Sequence, residues 1–190
     1  MKKHYNFVLA SGSPRRHELL KLIVDTFAVK TFDVDETTDI KDPIEMVEFL
    51  AQKKAGETHQ HVDKNSVVIG ADTIVVYGDQ ILGKPKDTDE AFDILSLLSD
   101  RSHFVYTGFC ILYGDKKIIG HEKTTVTFSK MSDNEILDYI KTGEPMDKAG
   151  AYGIQGYGSK FIEKIDGCYY CVMGFPVNRI YTELKNAGLR

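Results

Sequence analysis

The chain has 190 residues, of which 42% are apolar and 16 are glycine, so it can build a packed core and lies far from the polar, highly charged composition of disordered chains. With 24 basic against 28 acidic residues its formal charge is −4, which leaves no general positive field to hold a polynucleotide through its phosphates. No apolar run approaches the roughly 20 residues of a membrane-spanning helix, and the opening MKKHYNFVLAS passes from charge into a strand-like run rather than a secretory core; the sequence predicts a cytoplasmic protein with neither nucleic-acid polymer nor membrane among its partners.

Asn6 to Ala10 reads as a short buried strand that leaves through the tight loop SGSP. Ser13 suits the N-cap and Pro14 the first position of a helix whose Leu19, Leu20, Leu22 and Ile23 form the buried face. Asp42, Pro43 and Glu45 start a second helix, with Val47, Leu50 and Ala51 on one face, that fades near Gly56. Ser66 to Tyr77 is nearly continuous β-branched sequence, as in a strand buried on both faces, and a Gly78-Asp79 turn leads to a shorter strand ending in LGKP. Asp87 with Glu90 caps a third helix, whose Ala91, Ile94, Leu95 and Leu98 form one stripe.

Two long strands follow, His103 to Tyr113 and Lys117 to Phe128, joined as a hairpin at Gly114-Asp115. Ser132 and Glu135 form a capping box for a helix that stops at Gly143. The stretch EPMDKAGAYGIQGYG is too glycine-rich for a regular element. A second hairpin is expected to turn at Asp166-Gly167, with CYYCVM as a strand that sends Cys168 and Cys171 to opposite sides, and Pro176 opens the C-terminal helix. Three cysteines give neither a disulfide framework nor a paired metal motif. The element order predicts an α/β fold with a curved mixed sheet and long antiparallel hairpins flanked by helices, in two lobes around an active-site cleft.

Neither of the two common phosphate-loop motifs, GxxxxGK[ST] and GxGxxG, is present. The SGSPRR segment offers an alternative, because small residues at a helix N-terminus leave backbone N–H groups facing outward for an anion. Arg15 and Arg16 oppose the helix dipole there unless an anion sits between them; the alternative is two solvated arginines. Asp72 is the sharper anomaly. A carboxylate between VVIGA and TIVVY sits where water should be excluded, so something must compensate it: solvent at a strand end, a structural lysine, or a divalent cation. Gly70, Ala71 and Thr73 beside it favour the cation. Glu36 in DVDET and the lysines Lys54, Lys84 and Lys148 complete an inventory suited to a nucleoside triphosphate, although helical spacing does not separate Lys54 from Lys53. His59 and His61 read as solvent-facing.

Taken together, LASGSPRR, GADT, GKP and above all GEPMDKAGAYGIQG resemble the Maf family of nucleoside triphosphate pyrophosphatases, also called septum formation inhibitor Maf. The form AGAYGIQG is similar to the dTTP/UTP pyrophosphatase branch. The likeness covers essentially the whole chain, which implies a single Maf-like domain over residues 1–190. It implies hydrolysis of pyrimidine nucleoside triphosphates (dTTP, UTP, with CTP and modified forms as further candidates) to the monophosphate and pyrophosphate, removing unwanted nucleotides. It also implies a divalent cation, Mg or Mn given oxygen ligands, and assembly as a homodimer.

Carried onto this sequence, the motifs imply Asp72 as proton acceptor, acting with Lys84 as a catalytic pair, and Glu36 with Asp72 as metal ligands. Ser11, Arg15, Arg16 and Lys54 would hold the substrate with Lys84, and Arg15, Thr73 and Gln155 would set base preference. The amide of Gln155 supplies both donors and an acceptor, complementary to the O4 and N3–H edge of uracil or thymine; the alternative is that the glycines around it only satisfy turns. An aspartate of ordinary pKa, about 3.9, is a weak base, so the cation would have to acidify the attacking water. Asp100 stands where related chains often carry Gly, at a helix end that favours a left-handed residue. Two rival readings remain: a nucleotidyltransferase, which needs an acceptor, and a non-catalytic nucleotide-sensing regulator of cell division, which releases no phosphate.

Overall fold

The structure is a computed structural model that describes residues 5–190; the charged opening read in the sequence lies outside them. In chain order the elements are β1 (Phe7–Leu9), α1 (Pro14–Lys21), β2 (Phe27–Val29), α2 (Pro43–Gln60), β3 (Val67–Tyr77), β4 (Gln80–Leu82), α3 (Thr88–Leu98), β5 (Ser102–Tyr113), β6 (Lys116–Phe128), α4 (Asp133–Lys141), β7 (Ile162–Asp166), α5 (Tyr169–Val172) and α6 (Val177–Asn186), with three short 3₁₀ turns between α4 and β7. The strands form a mixed sheet in the order β2-β1-β3-β5-β6-β7, with β4 paired to β3. The expected α/β class with a mixed sheet and flanking helices is what the chain adopts. Two compact units emerge: the chain up to Asp72 with Thr107–Glu122 and Gly174–Arg190, and Thr73–Tyr106 with Lys123–Met173. The strands β3, β5 and β6 each contribute residues to both.

In the first unit β1 is the centre of a parallel ladder, with Leu9 opposite Val29 of β2 and Ile69 of β3. Helix α2 lies on this sheet at backbone distance. A Cβ on Gly70 would stand 2.7 Å from the Ala51 carbonyl oxygen, and one on Gly108 would stand 2.4 Å from that of Val47, so both positions need glycine for the helix to seat. Val8, Ala10, Ala51, Ala55, Val68 and Cys110 make the apolar contact there. Burial pushes the Cys110 thiol up to about 12, so it is an inert core group.

The second unit has its own core, with Val75, Leu95, Leu98, Phe128, Ile136 and Tyr139 among its buried residues. β3 and β4 pair antiparallel through Val75 and Leu82, and β7 pairs antiparallel with β6, with a register break at Thr127/Phe128. His103, 1% exposed, bonds the Tyr152 hydroxyl through Nε2 at 2.8 Å, and desolvation lowers its pKa to about 4.

Local chemistry explains most boundaries. Asp42 Oδ1 accepts from the N–H groups of Ile44 and Glu45 at 2.9 Å, Asp87 accepts from Glu90, and Ser132 and Glu135 form a reciprocal box. Asp100 adopts φ 59°, the left-handed conformation anticipated for its position. Four readings need correction, and one strand, β2, was not anticipated. Ser13 occupies the N-cap without a side-chain cap bond. Leu22, the C-cap residue of α1, is 65% exposed rather than part of its buried face. α2 continues past Gly56 to Gln60, because Thr58 is buried beyond it. β2, three residues with a mixed burial pattern, has too few residues to show periodicity. The second hairpin does not form: after Gly167 (φ 131°) the CYYCVM segment turns into helix α5, where Thr124 Oγ1 accepts from the Cys168 N–H at 2.9 Å.

Candidate active site

The loop between β1 and α1 is built around Ser11, whose hydroxyl oxygen accepts from the Ser13 N–H at 3.3 Å. This bond holds the loop, and Ser13 itself makes no side-chain cap bond. Arg16 turns back from the first turns of α1: its Nη1 donates to the Ala71 carbonyl at 2.7 Å and to Ser11 Oγ at 3.3 Å, and its Nε donates to the Gly174 carbonyl at 2.8 Å. Burial, reinforced by Arg15, draws its pKa below the usual arginine range, while Asp72 and Glu36 pull it back. Of the two readings for these arginines, solvation fails for Arg16. Arg15 is half-buried on the first turn of the same helix.

Asp72 is buried, as its setting in the sequence demands. Its charge is met by Lys54, the structural lysine rather than the cation that the sequence favoured: the ammonium lies 2.5 Å from Asp72 Oδ1 and 3.0 Å from Glu36 Oε1. The side chains of Lys54 and Asp72 are 18% and 11% exposed and that of Glu36 is 55% exposed, so the triad runs from the interior to solvent. The helix thereby separates two lysines that spacing could not: Lys53 donates to the backbone carbonyl of Asp35 instead. The two carboxylates converge on one positive charge.

A cavity of about 240 Å³ opens beside this triad, with Ser11, Arg16, Phe32, Glu36, Lys54 and Thr58 in its wall. That is below the roughly 300–1,000 Å³ of pockets that enclose a drug-sized ligand, and its polar wall suits phosphate groups better than a whole nucleotide. Thr31 and Phe32, also in the wall, carried no signal in the sequence, whereas Asp33 and Val34 beside them belong to the DVDET patch. Phe32 stacks on His61, with ring centroids 4.3 Å apart. His59, read as solvent-facing, is only half-exposed and buries Nδ1 without a partner.

The remaining site residues lie in the second unit. Thr73 follows Asp72 on β3 and is half-buried. Lys84 is exposed, and the Gly83 carbonyl before it accepts from the Gly150 N–H at 3.0 Å, which pins the GKP segment to the glycine-rich stretch. That stretch is wound around one carboxylate that sequence reasoning passed over. Glu144 accepts from the Tyr139 hydroxyl (2.8 Å), the Tyr157 N–H (2.8 Å) and the Gly158 N–H (3.0 Å). Desolvation pushes the Glu144 carboxyl up, but these donors and Lys148 outweigh it and hold the carboxyl below the usual range. A Cβ on Gly156 (φ 85°) would fall 2.4 Å from Glu144 Oε2. Lys148 is fixed by the Glu144 carbonyl and Asp147 at 2.6 Å each, so it is not a solvated lysine. Gln155 is exposed between Gly153 and Gly156.

Ser11, Arg16, Glu36, Lys54 and Asp72 are therefore gathered by direct contacts, and Lys84 and Gln155 belong to the other unit's loops. Among the described residues, no group of three or more His, Cys, Asp or Glu could hold a metal, and no helix is long and apolar enough to cross a membrane. The profile of the family described as Maf-like protein matches residues 6–187. A protein of Bacillus cytotoxicus named dTTP/UTP pyrophosphatase is 49% identical over 97% of this chain and 95% of its own length. Proteins of the same name from Clostridium perfringens strain SM101 and Thermococcus kodakarensis are 46% and 47% identical, over 94% and 95% of this chain and 95% and 96% of their own. Among solved structures, the Ham1 protein of Staphylococcus aureus superposes with a TM-score of 0.54 at 15% identity, covering 96% of this chain and 99% of its own, a likeness of fold alone.

Proposed function

The chain belongs to the Maf family, and from that premise we propose that it hydrolyses dTTP and UTP to the nucleoside monophosphate and pyrophosphate. The observation that carries this reading is the buried Asp72 joined through Lys54 to Glu36 beside a polar cavity, in a chain nearly half identical to proteins of that name. CTP and modified pyrimidine triphosphates belong to the same proposal, as do a single Maf-like domain over the whole chain, cytoplasmic placement and a homodimer.

Water attacks the α-phosphorus, the bond from that phosphorus to the bridging oxygen breaks, and pyrophosphate leaves; Asp72 accepts the proton of the attacking water. Ser11, through its hydroxyl, and Arg15 and Lys54, through their charge, hold phosphate oxygens and offset charge that develops on them. Lys84 neutralises the departing pyrophosphate. Arg15, Thr73 and Gln155 select the base, with the Gln155 amide pairing to the O4 and N3–H edge.

Asp72 and Glu36 offer the carboxylate oxygens that a hard divalent cation takes, with the Lys54 ammonium now paired to both. Asp72 and Glu36 would hold Mg or Mn. Bound there, the ion would acidify the attacking water and screen phosphate charge.

The test is a panel of dTTP, UTP, CTP, modified pyrimidine and purine triphosphates with Mg or Mn, scored for pyrophosphate and monophosphate with no acceptor added. Release from dTTP and UTP above the purines supports the proposal. Turnover only with an added acceptor supports a transferase, and metal-dependent binding without release supports a sensor. Light scattering on the purified chain checks the dimer.

A further inference from the structure

We propose that Arg16 is a positioning residue that fixes the Ala71–Asp72 peptide and the Ser11 hydroxyl, rather than the phosphate ligand implied by the family resemblance. The inference rests on the reading of Asp72 as the proton acceptor. A guanidinium has five N–H donors in a rigid planar fork. In Arg16, Nη1 serves Ala71 O and Ser11 Oγ, and Nε serves Gly174 O, so three acceptors from three separate segments share one group. Two of them are backbone carbonyls, so Nε and Nη1 are engaged within the protein although Arg16 also stands in the cavity wall.

The placement gives those bonds a function. The Ala71 carbonyl belongs to the peptide that leads into Asp72, and its tilt sets where the Asp72 side chain leaves the strand. The same nitrogen meets the Ser11 hydroxyl, which also receives the Ser13 N–H, so the orientation of Ser11 toward the cavity is set by Arg16. Gly174 ties both to the segment that enters α6. A lysine cannot reproduce this: its ammonium is a point donor without the planar fork. The paired arginines of SGSPRR thus divide the work, with Arg16 bonded through Nε and Nη1 to the protein and Arg15, half-buried on the first turn, assigned to the nucleotide.

Two measurements decide it. In the wild-type protein, the Arg16 Nε–H resonance should be protected from solvent exchange and should not move on saturation with inorganic tripolyphosphate, whereas that of Arg15 should shift. A shift of Arg16 comparable to that of Arg15, or loss of its protection, overturns the proposal. This readout needs no turnover, so it stands even if the enzyme acts on another substrate. In the second, Arg16→Lys should lower kcat by about 10²-fold, the order expected for a small misplacement of a reacting group. Its Kd for an α,β-imido analogue of dTTP should stay within about threefold, and hydrogen exchange should quicken around residues 70–73 and 174. A tenfold or greater loss of analogue affinity with kcat retained, or unchanged exchange, overturns it. Loss of turnover in Asp72→Asn with Arg16→Lys unaffected would leave the pyrophosphatase reading intact and remove only this one.

Discussion

Gly70 and Asp72 point to the same face of β3, and helix α2 serves both: Ala51 and Ala55 rest on the first, and Lys54, within the same turn, reaches the second. The missing side chain at Gly70 brings the helix close enough for its lysine to meet a carboxylate inside the sheet. Glycine and aspartate in GADT are one device.

Gly70→Ala should therefore act on both. Its Cβ would meet backbone atoms at 2.7 and 2.8 Å, which cannot yield as a flexible side chain would. The expected loss is about 1–3 kcal/mol, the usual cost of overpacking, with a fall in kcat from the displaced Lys54. Urea denaturation and steady-state kinetics measure the two; wild-type stability would show that α2 shifts freely.

The ion pair can be dissected by a double-mutant cycle. Lys54→Met leaves the Asp72 charge buried and unpaired and should cost about 3–5 kcal/mol, whereas Lys54→Met with Asp72→Leu should recover most of it while abolishing turnover. Glu36→Gln, at an exposed position, should change stability by no more than about 1 kcal/mol. Additive losses in the double variant would refute the coupling.

His103 makes stability depend on pH. Its pKa is lowered from 6.5 to about 4, so the unfolded chain binds a proton in that window that the native state refuses. Stability is fully present above about pH 6.5 and falls as pH drops toward 4, by about 3 kcal/mol from this group. In His103→Gln the slope between those pH values should flatten relative to wild type; parallel curves would contradict it.

Glu144 organises the stretch that presents Gln155. Glu144→Ala strips the acceptor from two backbone N–H groups and a tyrosine hydroxyl. Preference for UTP over ATP should fall about tenfold, equivalent to about 1.4 kcal/mol, while Gln155→Ala should give a similar loss without affecting the melting temperature. Unchanged ranking across bases in both variants would remove the stretch from base selection.

Much of this was legible in the sequence, because caps, buried strands and an out-of-place carboxylate are statements about residue type. Asp42, Asp87 and Ser132 cap where they should, and Asp72 carries its anomaly into the fold unchanged. What could not be read depends on tertiary geometry. The choice of Lys54 over Lys53 turns on where α2 sits, and the acceptors of Arg16 are carbonyl groups, which every residue has. CYYCVM has strand-like composition, yet its bonds to Thr124 divert it into a helix. Glu144 stands inside a motif read for its glycines, and only the folded chain brings its three donors to it.

The bond from Arg16 to Gly174 joins positions 158 residues apart, and the first unit takes in the chain from Gly174 to its end. During synthesis the segment around Ser11 leaves the ribosome long before that carbonyl exists. At about 5–20 residues per second, the nascent protein waits many seconds with the Arg16 bond to Gly174 unmade, and premature termination anywhere before Gly174 yields a product that can never make it.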